Sequence, residues 1–255
     1  MIKVENIDVW GFEHAIRGMR NPMNSWDKSD SYEWFIDEDD FNEAKVSGEI
    51  GKDCVYQIDM GGSYLITPFI VGKNDLDLMR RLYKGGTEHR KYLRQIFVSM
   101  DITAPLYWWK EFDTYKVGTV ANSCSTMHKI HAKEFEYEDF SHEHLATSGR
   151  WLLGETIKLL NKWRDVYIKG NPVYPPGDKK IWWQMIQSLP SSYNQKRTVT
   201  FTYENVVTMI RQRTGHKLDE WRNFVEILKD LPYVREIMDE ANIICTAKAD
   251  SKNES

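Results

Sequence analysis

The chain has 255 residues, 41% of them hydrophobic and 28% charged, so it can bury a core in one large domain or two small ones. Its formal net charge of -4 excludes a protein that coats a nucleic acid polymer, but it leaves room for a local basic pocket that takes a small phosphorylated molecule. No apolar run approaches membrane-spanning length, and the first ten residues lack the apolar region of a signal peptide. Three scattered cysteines predict no metal site and favour a reduced, cytoplasmic location.

Hydrophobic periodicity predicts a chain with more helices than strands. Apolar residues spaced three and four apart indicate helices, and alternating apolar residues indicate strands. We therefore predict an α/β (α+β) fold, a helix-rich single domain over residues 1–247 with a central mixed sheet, followed by a disordered polar tail over 248–255. In chain order, the predicted elements are a strand (1–10), a helix (12–19), a hairpin (54–70), helices over 76–83, 88–100, 105–112, 145–168 and 178–189, a strand-like stretch (191–203), and helices over 205–213 and 216–231.

Four polar features stand out in the first hundred residues. The loop after the first helix carries Arg17 and Arg20 and can hold a phosphate, although an ordinary surface loop explains it equally well. Residues 32–46 are acidic and predict a solvated face. Asn74 or Asp75 is expected to cap the helix that follows. On the predicted helix over 88–100, Arg94 is our candidate for a charged side chain that turns inward.

The stretch from Ile102 to His131 concentrates the side chains that suit a ligand. Pro105 favours the first turn of a helix, which Gly118 ends. The following sequence, TVANSCSTMH, is small and hydroxyl-rich, which is typical of a loop that faces a ligand. A solvated loop after an aromatic core helix is the alternative.

Several common catalytic motifs are absent from the sequence. It has no glycine-rich phosphate loop, HExxH or GxSxG motif, which argues against nucleotide, zinc and serine hydrolases. Arginine offers a planar fork suited to phosphate, and hydroxyls and amides suit sugars and pyrimidine edges. A nucleotide-sized pocket is therefore expected from a polar set comprising Arg17, Arg20, Arg94, Glu111, Lys116, residues 122–125, Arg197, Arg211 and Arg213.

The central stretch resembles the signature of the flavin-dependent thymidylate synthases. In that family a helix starting at Ala-Pro is followed by Gln-x-x-Arg-His-Arg and then by Ser-x-Asn-Glu-x-Ser-x-Arg-Tyr. Here Ala104 and Pro105 open the helix, and Glu111 stands at the position of the Gln. The positions of Arg-His-Arg are taken by Thr114, Tyr115 and Lys116, and the position of the first Ser by Thr119. This chain then has one extra residue, after which the Asn, the Glu and the second Ser of the signature align with Asn122, Ser123 and Ser125.

A second segment, from Leu189 to Trp221, is similar to the same family. Arg213 falls on an arginine that binds the nucleotide substrate in that family. Ile186 stands where the family has another substrate arginine, and Gln187 beside it is a partial replacement. Positions that contact the flavin are taken by Thr202, Glu204 and Thr208, which differ from the family's residue types.

The resemblance implies reductive methylation of dUMP to dTMP by a homotetramer that uses FAD, with methylenetetrahydrofolate as carbon donor and NADPH as reductant. Neither a nucleic acid polymer nor a membrane is an expected partner. The resemblance assigns catalysis to Arg213 and Ser125, and substrate binding to these two together with Glu111, Ser123 and Gln187. It assigns FAD binding to Arg94, Thr114, Tyr115, Lys116, Thr119, Asn122, Thr202, Glu204 and Thr208. The alternatives are a flavoprotein acting on another pyrimidine nucleotide and a catalytically silent nucleotide-binding homologue.

Overall fold

The computed structural model describes residues 2–33, 55–58, 63–66 and 69–238. The predicted tail over 248–255 and the acidic stretch beyond Glu33 lie outside these ranges. The chain divides into two compact units. The first unit comprises Met1–Glu5, Asp101–Lys116 and Ala121–Val199, and the second comprises Asn6–Met100, Val117–Val120 and Thr200–Ser255.

The described residues form a helix-rich structure with a mixed sheet, which confirms the predicted fold class. The strands are β1 (Lys3–Trp10), β2 (Tyr32–Glu33), β3 (Val55–Ile58), β4 (Ser63–Ile66), β5 (Phe69–Ile70), β6 (Phe97–Pro105), β7 (Val120–Ser123) and β8 (Asn194–Thr202). The helices are α1 (Phe12–Arg20), α2 (Lys73–Lys84), α3 (Leu106–Phe112), α4 (Thr147–Lys169), α5 (Lys179–Ser188), α6 (Tyr203–Arg213), α7 (Asp219–Lys229) and α8 (Val234–Met238).

The main sheet has the strand order β1-β6-β8-β7. The hairpin predicted over 54–70 is confirmed, since β3 and β4 pair antiparallel with Val55 opposite Ile66 and Ile58 opposite Ser63. A second small antiparallel pair joins β2 to β5.

The predicted helix over 88–100 is wrong. A short 3-10 turn, Lys91–Arg94, leads instead into strand β6. Leu93, Ile96 and Met100 have helical spacing, but Met100 also belongs to a period of two that runs from Val98 to Ala104. Along β6 these alternating residues are buried and their neighbours are partly exposed. This segment forms a strand rather than a helix because the alternating pattern buries one whole face of the strand.

The cap predicted for α2 is also different in the structure. Asp30, more than forty residues earlier, accepts the N–H groups of Asn74 (2.9 Å) and Asp75 (3.1 Å) at the start of the helix. The Asp75 carboxylate is fully buried and accepts Arg20 Nε at 2.5 Å together with the hydroxyls of Ser29 and Ser31. Burial opposes ionisation of Asp75, but these hydrogen bonds and the Arg20 charge hold its pKa below the usual value. Arg20 is therefore a structural cation rather than a phosphate ligand.

Each unit has its own hydrophobic core. In the first unit, α4 and α5 pack through Leu153, Ile157, Leu160 and Met185. In the second unit, Phe12 makes edge-to-face contacts with Tyr203 (5.7 Å) and Tyr233 (5.3 Å), and Tyr203 donates a hydrogen bond to the carbonyl of Pro232. The predicted helices over 145–168, 178–189, 205–213 and 216–231 are confirmed as α4, α5, α6 and α7 within a few residues.

Gly11, just before α1, packs closely against the backbone at Gln95, and this contact can be tested. Its φ is +98°, and a Cβ there would lie 2.2 Å from the Gln95 carbonyl oxygen. Gly86 has a similar φ of +94° but no atom within 4 Å of such a Cβ. We expect Gly86→Ala to lose about 1–2 kcal/mol through backbone strain alone, and Gly11→Ala to lose roughly a further 1–3 kcal/mol through the clash.

Urea unfolding of both variants measures this difference directly. Equal losses of unfolding free energy in the two alanine variants would contradict the close approach of Gly11 to Gln95.

Candidate functional site

The predicted site residues of the second unit gather around the start of α6. Glu204 is paired with Arg90, whose Nε lies 3.1 Å from both carboxylate oxygens and whose Nη2 lies 2.8 Å from Oε1. The side chains of Arg90 and Glu204 are only 7% and 18% exposed. Glu204 therefore uses its charge within the protein, and the inward-turning arginine is Arg90 rather than Arg94, which is exposed.

The hydroxyl of Thr202 is also bound within the protein. It donates to Asn205 Oδ1 at 2.7 Å, and Asn205 Nδ2 donates to the Val117 carbonyl at 2.9 Å. The same amide group lies 3.5 Å from the Thr119 hydroxyl. Asn205 thus ties the start of α6 to residues 117–119, and it brings the predicted flavin positions Thr119 and Thr202 close together.

Arg90 also contacts an aromatic residue of α2. Its guanidinium lies 5.6 Å from the centre of the Tyr83 ring. Burial is the main reason that the pKa of the Tyr83 phenol is raised, with Glu204 adding to the effect and Arg90 and Arg211 opposing it.

Arg213 lies at the last turn of α6, partly buried. Its guanidinium carbon is 4.6 Å from the centre of the Trp221 ring, which is fully buried, and its Nη1 is 3.1 Å from Nε2 of His216. Stacking engages the face of a guanidinium, whereas its N–H donors lie along the edge. The arginine is therefore oriented by an aromatic wall, and its position is not that of a surface salt bridge.

His216 faces two donors at once. The Leu218 N–H lies 3.2 Å from its Nδ1, and Arg213 Nη1 lies near its Nε2. A neutral imidazole has a single acceptor nitrogen, so one of these approaches is not a hydrogen bond. The tautomer of His216 therefore decides whether Arg213 donates to it.

Thr208 completes the predicted residues of the second unit, partly exposed in the middle of α6. No described contact links it to the other predicted flavin positions.

In the first unit, the end of α3 carries four predicted residues. Tyr115 is buried, Glu111 is partly buried, and the Thr114 hydroxyl donates to the Glu111 carbonyl at 2.7 Å. Lys116 is exposed at the end of this turn. Lys116 is therefore the exposed cation of this group.

The expected ligand loop after Gly118 begins as a strand. Asn122 and Ser123 are exposed residues of β7, and Cys124 continues the pairing by donating its N–H to the Lys196 carbonyl at 2.9 Å. Ser125 then starts a turn in which its Oγ accepts the N–H groups of Met127 (3.2 Å) and His128 (3.0 Å). Ser125 thus shapes the turn, while Gln187 is exposed on α5.

Arg197 belongs to the predicted polar set but has no predicted role of its own. Its guanidinium stacks 4.2 Å from the centre of the buried Trp109 ring, and it bonds Asp113 at 2.9 Å and Gln195 Oε1 at 3.0 Å. Trp109 in turn donates its indole N–H to the Gln195 carbonyl at 2.9 Å. These contacts fix the end of α3 against β8, so Arg197 has a structural role.

Arg90 and Asn205 were missed as organising residues. Arg90 stands at no position singled out by the motifs, and Asn205 falls within the second family-like segment without a predicted role. Their partners are 114 and 88 residues away in the chain. The one available signal was the cluster of charges around 88–94, from which Arg94 was chosen in place of Arg90. No helix within the described ranges is long and apolar enough to cross a membrane.

Comparisons with known proteins establish the fold. Neither a family model nor a curated protein sequence matches this chain. A crystal structure of thymidylate synthase X (ThyX) from Helicobacter pylori with FAD and dUMP matches with a TM-score of 0.58 and 14% identity, covering 95% of this chain and 99% of that one. A second, of flavin-dependent thymidylate synthase ThyX from the same organism with FAD and dUMP, has a TM-score of 0.57 and 14% identity over 94% and 98%. The chain thus has the fold of the ThyX flavin-dependent thymidylate synthases.

Proposed function

We propose that this protein is a flavin-dependent thymidylate synthase-like enzyme that methylates dUMP reductively to dTMP, with methylenetetrahydrofolate as carbon donor and NADPH as reductant. The observation that carries the proposal is the likeness, over 95% of the chain, to a ThyX structure that contains FAD and dUMP. Retention of Arg213, oriented by Trp221, supports it.

The residues present suit a flavin in their chemistry. Lys116 offers an exposed ammonium for a pyrophosphate, and Asn122 offers an exposed amide. Glu204, which would repel a phosphate, is compensated by Arg90. When bound, the flavin would supply the hydride, and the protein would supply binding and orientation.

In the proposed reaction, Arg213 acts on the nucleotide. A guanidinium can bind a phosphate or a pyrimidine carbonyl through two parallel N–H donors. Next to a pyrimidine carbonyl, its positive charge would stabilise the negative charge that develops when C5 of the uracil attacks the carbon donor. Because Trp221 holds the arginine in place, little reorganisation is needed as that charge appears.

Removal of the Arg213 guanidinium tests nucleotide binding. A bidentate contact to a charged group contributes about 1.5–3 kcal/mol, so Arg213→Ala should weaken dUMP roughly tenfold to a hundredfold. Arg222→Ala is the matched control, because Arg222 is exposed and its ion pair is with Asp219, three residues earlier on the same helix. Calorimetric titration of dUMP measures both.

Equal dUMP affinity in the parent protein and Arg213→Ala would remove Arg213 from the substrate site. Binding of another pyrimidine nucleotide in place of dUMP would change the proposed substrate.

Reversal of charge at Lys116 tests flavin binding. Lys116→Glu should lose bound FAD, since a carboxylate repels the pyrophosphate, while the helical circular dichroism stays unchanged. Lys110→Glu provides the control, because Lys110 is also exposed but stands at no position that the resemblance assigns to flavin or substrate. Visible absorbance of the purified proteins reports the flavin, and equal occupancy in both variants would rule out the role given to Lys116.

Helix α4 carries an exposed apolar surface that supports assembly as a homotetramer. Trp151, Leu152 and Leu159 are 67%, 60% and 41% exposed. Leu152 and Leu159 are separated by about two turns and so lie on the same side of the helix, with Trp151 beside them. Exposed apolar patches of this kind mark interaction surfaces.

Light scattering coupled to size exclusion should give about four times the mass of one chain for the parent. The double variant Leu152→Lys/Leu159→Lys should give a smaller mass, because two buried ammonium groups would oppose association, whereas Val173→Lys at an exposed loop position should leave it unchanged. A monomeric parent would exclude the tetramer.

A further inference from the structure

The second unit contains a cavity of about 800 Å³ beside helix α1. This volume is within the range of small-molecule sites. None of the residues that the resemblance assigns to flavin or substrate lines it. Its lining combines a buried guanidinium, a carboxylate and three aromatic rings, those of Arg20, Glu33, Trp26, Tyr32 and Phe69.

Arg20 gives this cavity a donor that the protein fixes in place. Its side chain is only 5% exposed, its Nε donates to Asp75, and its Nη1 donates to the Ser25 carbonyl at 3.1 Å. Its Nη2 has no hydrogen-bond partner among the described residues, yet it is not one of their enclosed polar atoms, so it reaches the cavity that Arg20 lines. Because Asp75 already balances the guanidinium charge, the remaining donor suits an uncharged oxygen rather than a phosphate.

The loop that forms one wall of the cavity is fastened to helix α2. Asp75 Oδ2 accepts the hydroxyls of Ser29 at 2.7 Å and Ser31 at 2.6 Å, together with the Ser31 N–H at 3.1 Å. Trp26 is held as well, because its indole N–H donates to Asn21 Oδ1 at 2.9 Å. Contacts within the protein therefore shape the cavity before any ligand arrives.

Glu33 supplies the negative charge of the lining that is not balanced. The other lining carboxylate, that of Glu13, lies 3.6 Å from Arg17. Arg20 is balanced by Asp75. Glu33 has no ion-pair partner among the described residues, so the cavity favours a positively charged group at this position.

Aromatic residues of the cavity lie next to Glu33. Tyr32 directly precedes it, and Phe69 is opposite it in the pair of strands β2 and β5. Tyr32 and Trp26 are 57% and 52% exposed, so much of each ring is open to a ligand. The face of an aromatic ring attracts a cation through its quadrupole. Ring faces beside a carboxylate are therefore suited to an organic ammonium group.

We propose that this cavity binds a small organic cation, a substituted ammonium that also carries a carbonyl oxygen. Glu33 and the aromatic rings contact the cationic group, and Arg20 Nη2 donates to the carbonyl. Ser31 shares the Asp75 carboxylate with Arg20, and Glu33 follows two residues later, about 6–7 Å further along an extended chain. One small molecule can therefore reach both ends. The site requires neither a flavin nor a nucleotide, so it stands or falls separately from the function proposed above.

Acetylcholine is the probe, and two analogues separate the two ends of the site. In dimethylbutyl acetate, the uncharged isostere, carbon replaces the charged nitrogen, whereas pentyltrimethylammonium lacks the carbonyl. Proton–nitrogen NMR spectra of the full chain follow the Trp26 indole signal, which Trp26→Phe identifies by its loss. Acetylcholine at millimolar concentration should shift this signal, and each analogue should bind at least about fivefold more weakly.

Two glutamate variants then locate the charge. Glu33→Gln removes the carboxylate charge with little change of shape, so acetylcholine affinity should fall about fivefold or more. Glu88→Gln changes an exposed glutamate that does not line the cavity, and it should bind acetylcholine as the parent does.

A Trp26 indole signal that does not move with acetylcholine would overturn the proposal. Equal acetylcholine affinity in the Glu33→Gln and Glu88→Gln variants would overturn it as well. Binding of the uncharged isostere as tight as that of acetylcholine would exclude the cation contact. Equally tight binding of pentyltrimethylammonium would exclude the carbonyl contact to Arg20 and with it the proposed ligand class.

Discussion

The buried pair of Arg90 and Glu204 is the interaction on which the geometry of the second unit depends. Removing one partner of such a pair leaves a buried charge without compensation, which is far more costly than the loss of a surface ion pair. The pair holds the first turn of α6, where Thr202 and Asn205 meet residues 117–119. Arg213 lies at the other end of the same helix, so its placement follows from this anchor.

The cations divide into those that hold the structure and those that remain for ligands. Arg20, Arg90 and Arg197 are each paired with an acid within the protein, and Arg197 also stacks on a buried tryptophan. Lys116 and Arg94 are exposed instead. In the proposed function, therefore, only some of the basic residues are available to bind a ligand. Substitution of any one of these is expected to have a measurable effect on ligand affinity.

Much of the fold could be predicted from the sequence, because its signals are local. Gly170 and Pro232 mark helix ends, and the apolar runs flanking Gly61 and Gly62 indicate a hairpin; these elements are present in the structure. Strand β6 was missed because its apolar residues satisfy helical spacing as well as alternation. The partners of Arg90, Asp75 and Asn205 could not be predicted, since each pairing joins positions that are distant in the chain and depends on packing.

Growth of a thymidine-requiring bacterial strain tests the central claim, conversion of dUMP to dTMP, most directly. The parent gene should restore growth on medium without thymidine, and the Arg213→Ala gene, expressed at the same level, should not. Failure of the parent gene to restore growth, with folded protein present in the cells, would contradict the proposed activity and favour a silent nucleotide-binding protein with this fold.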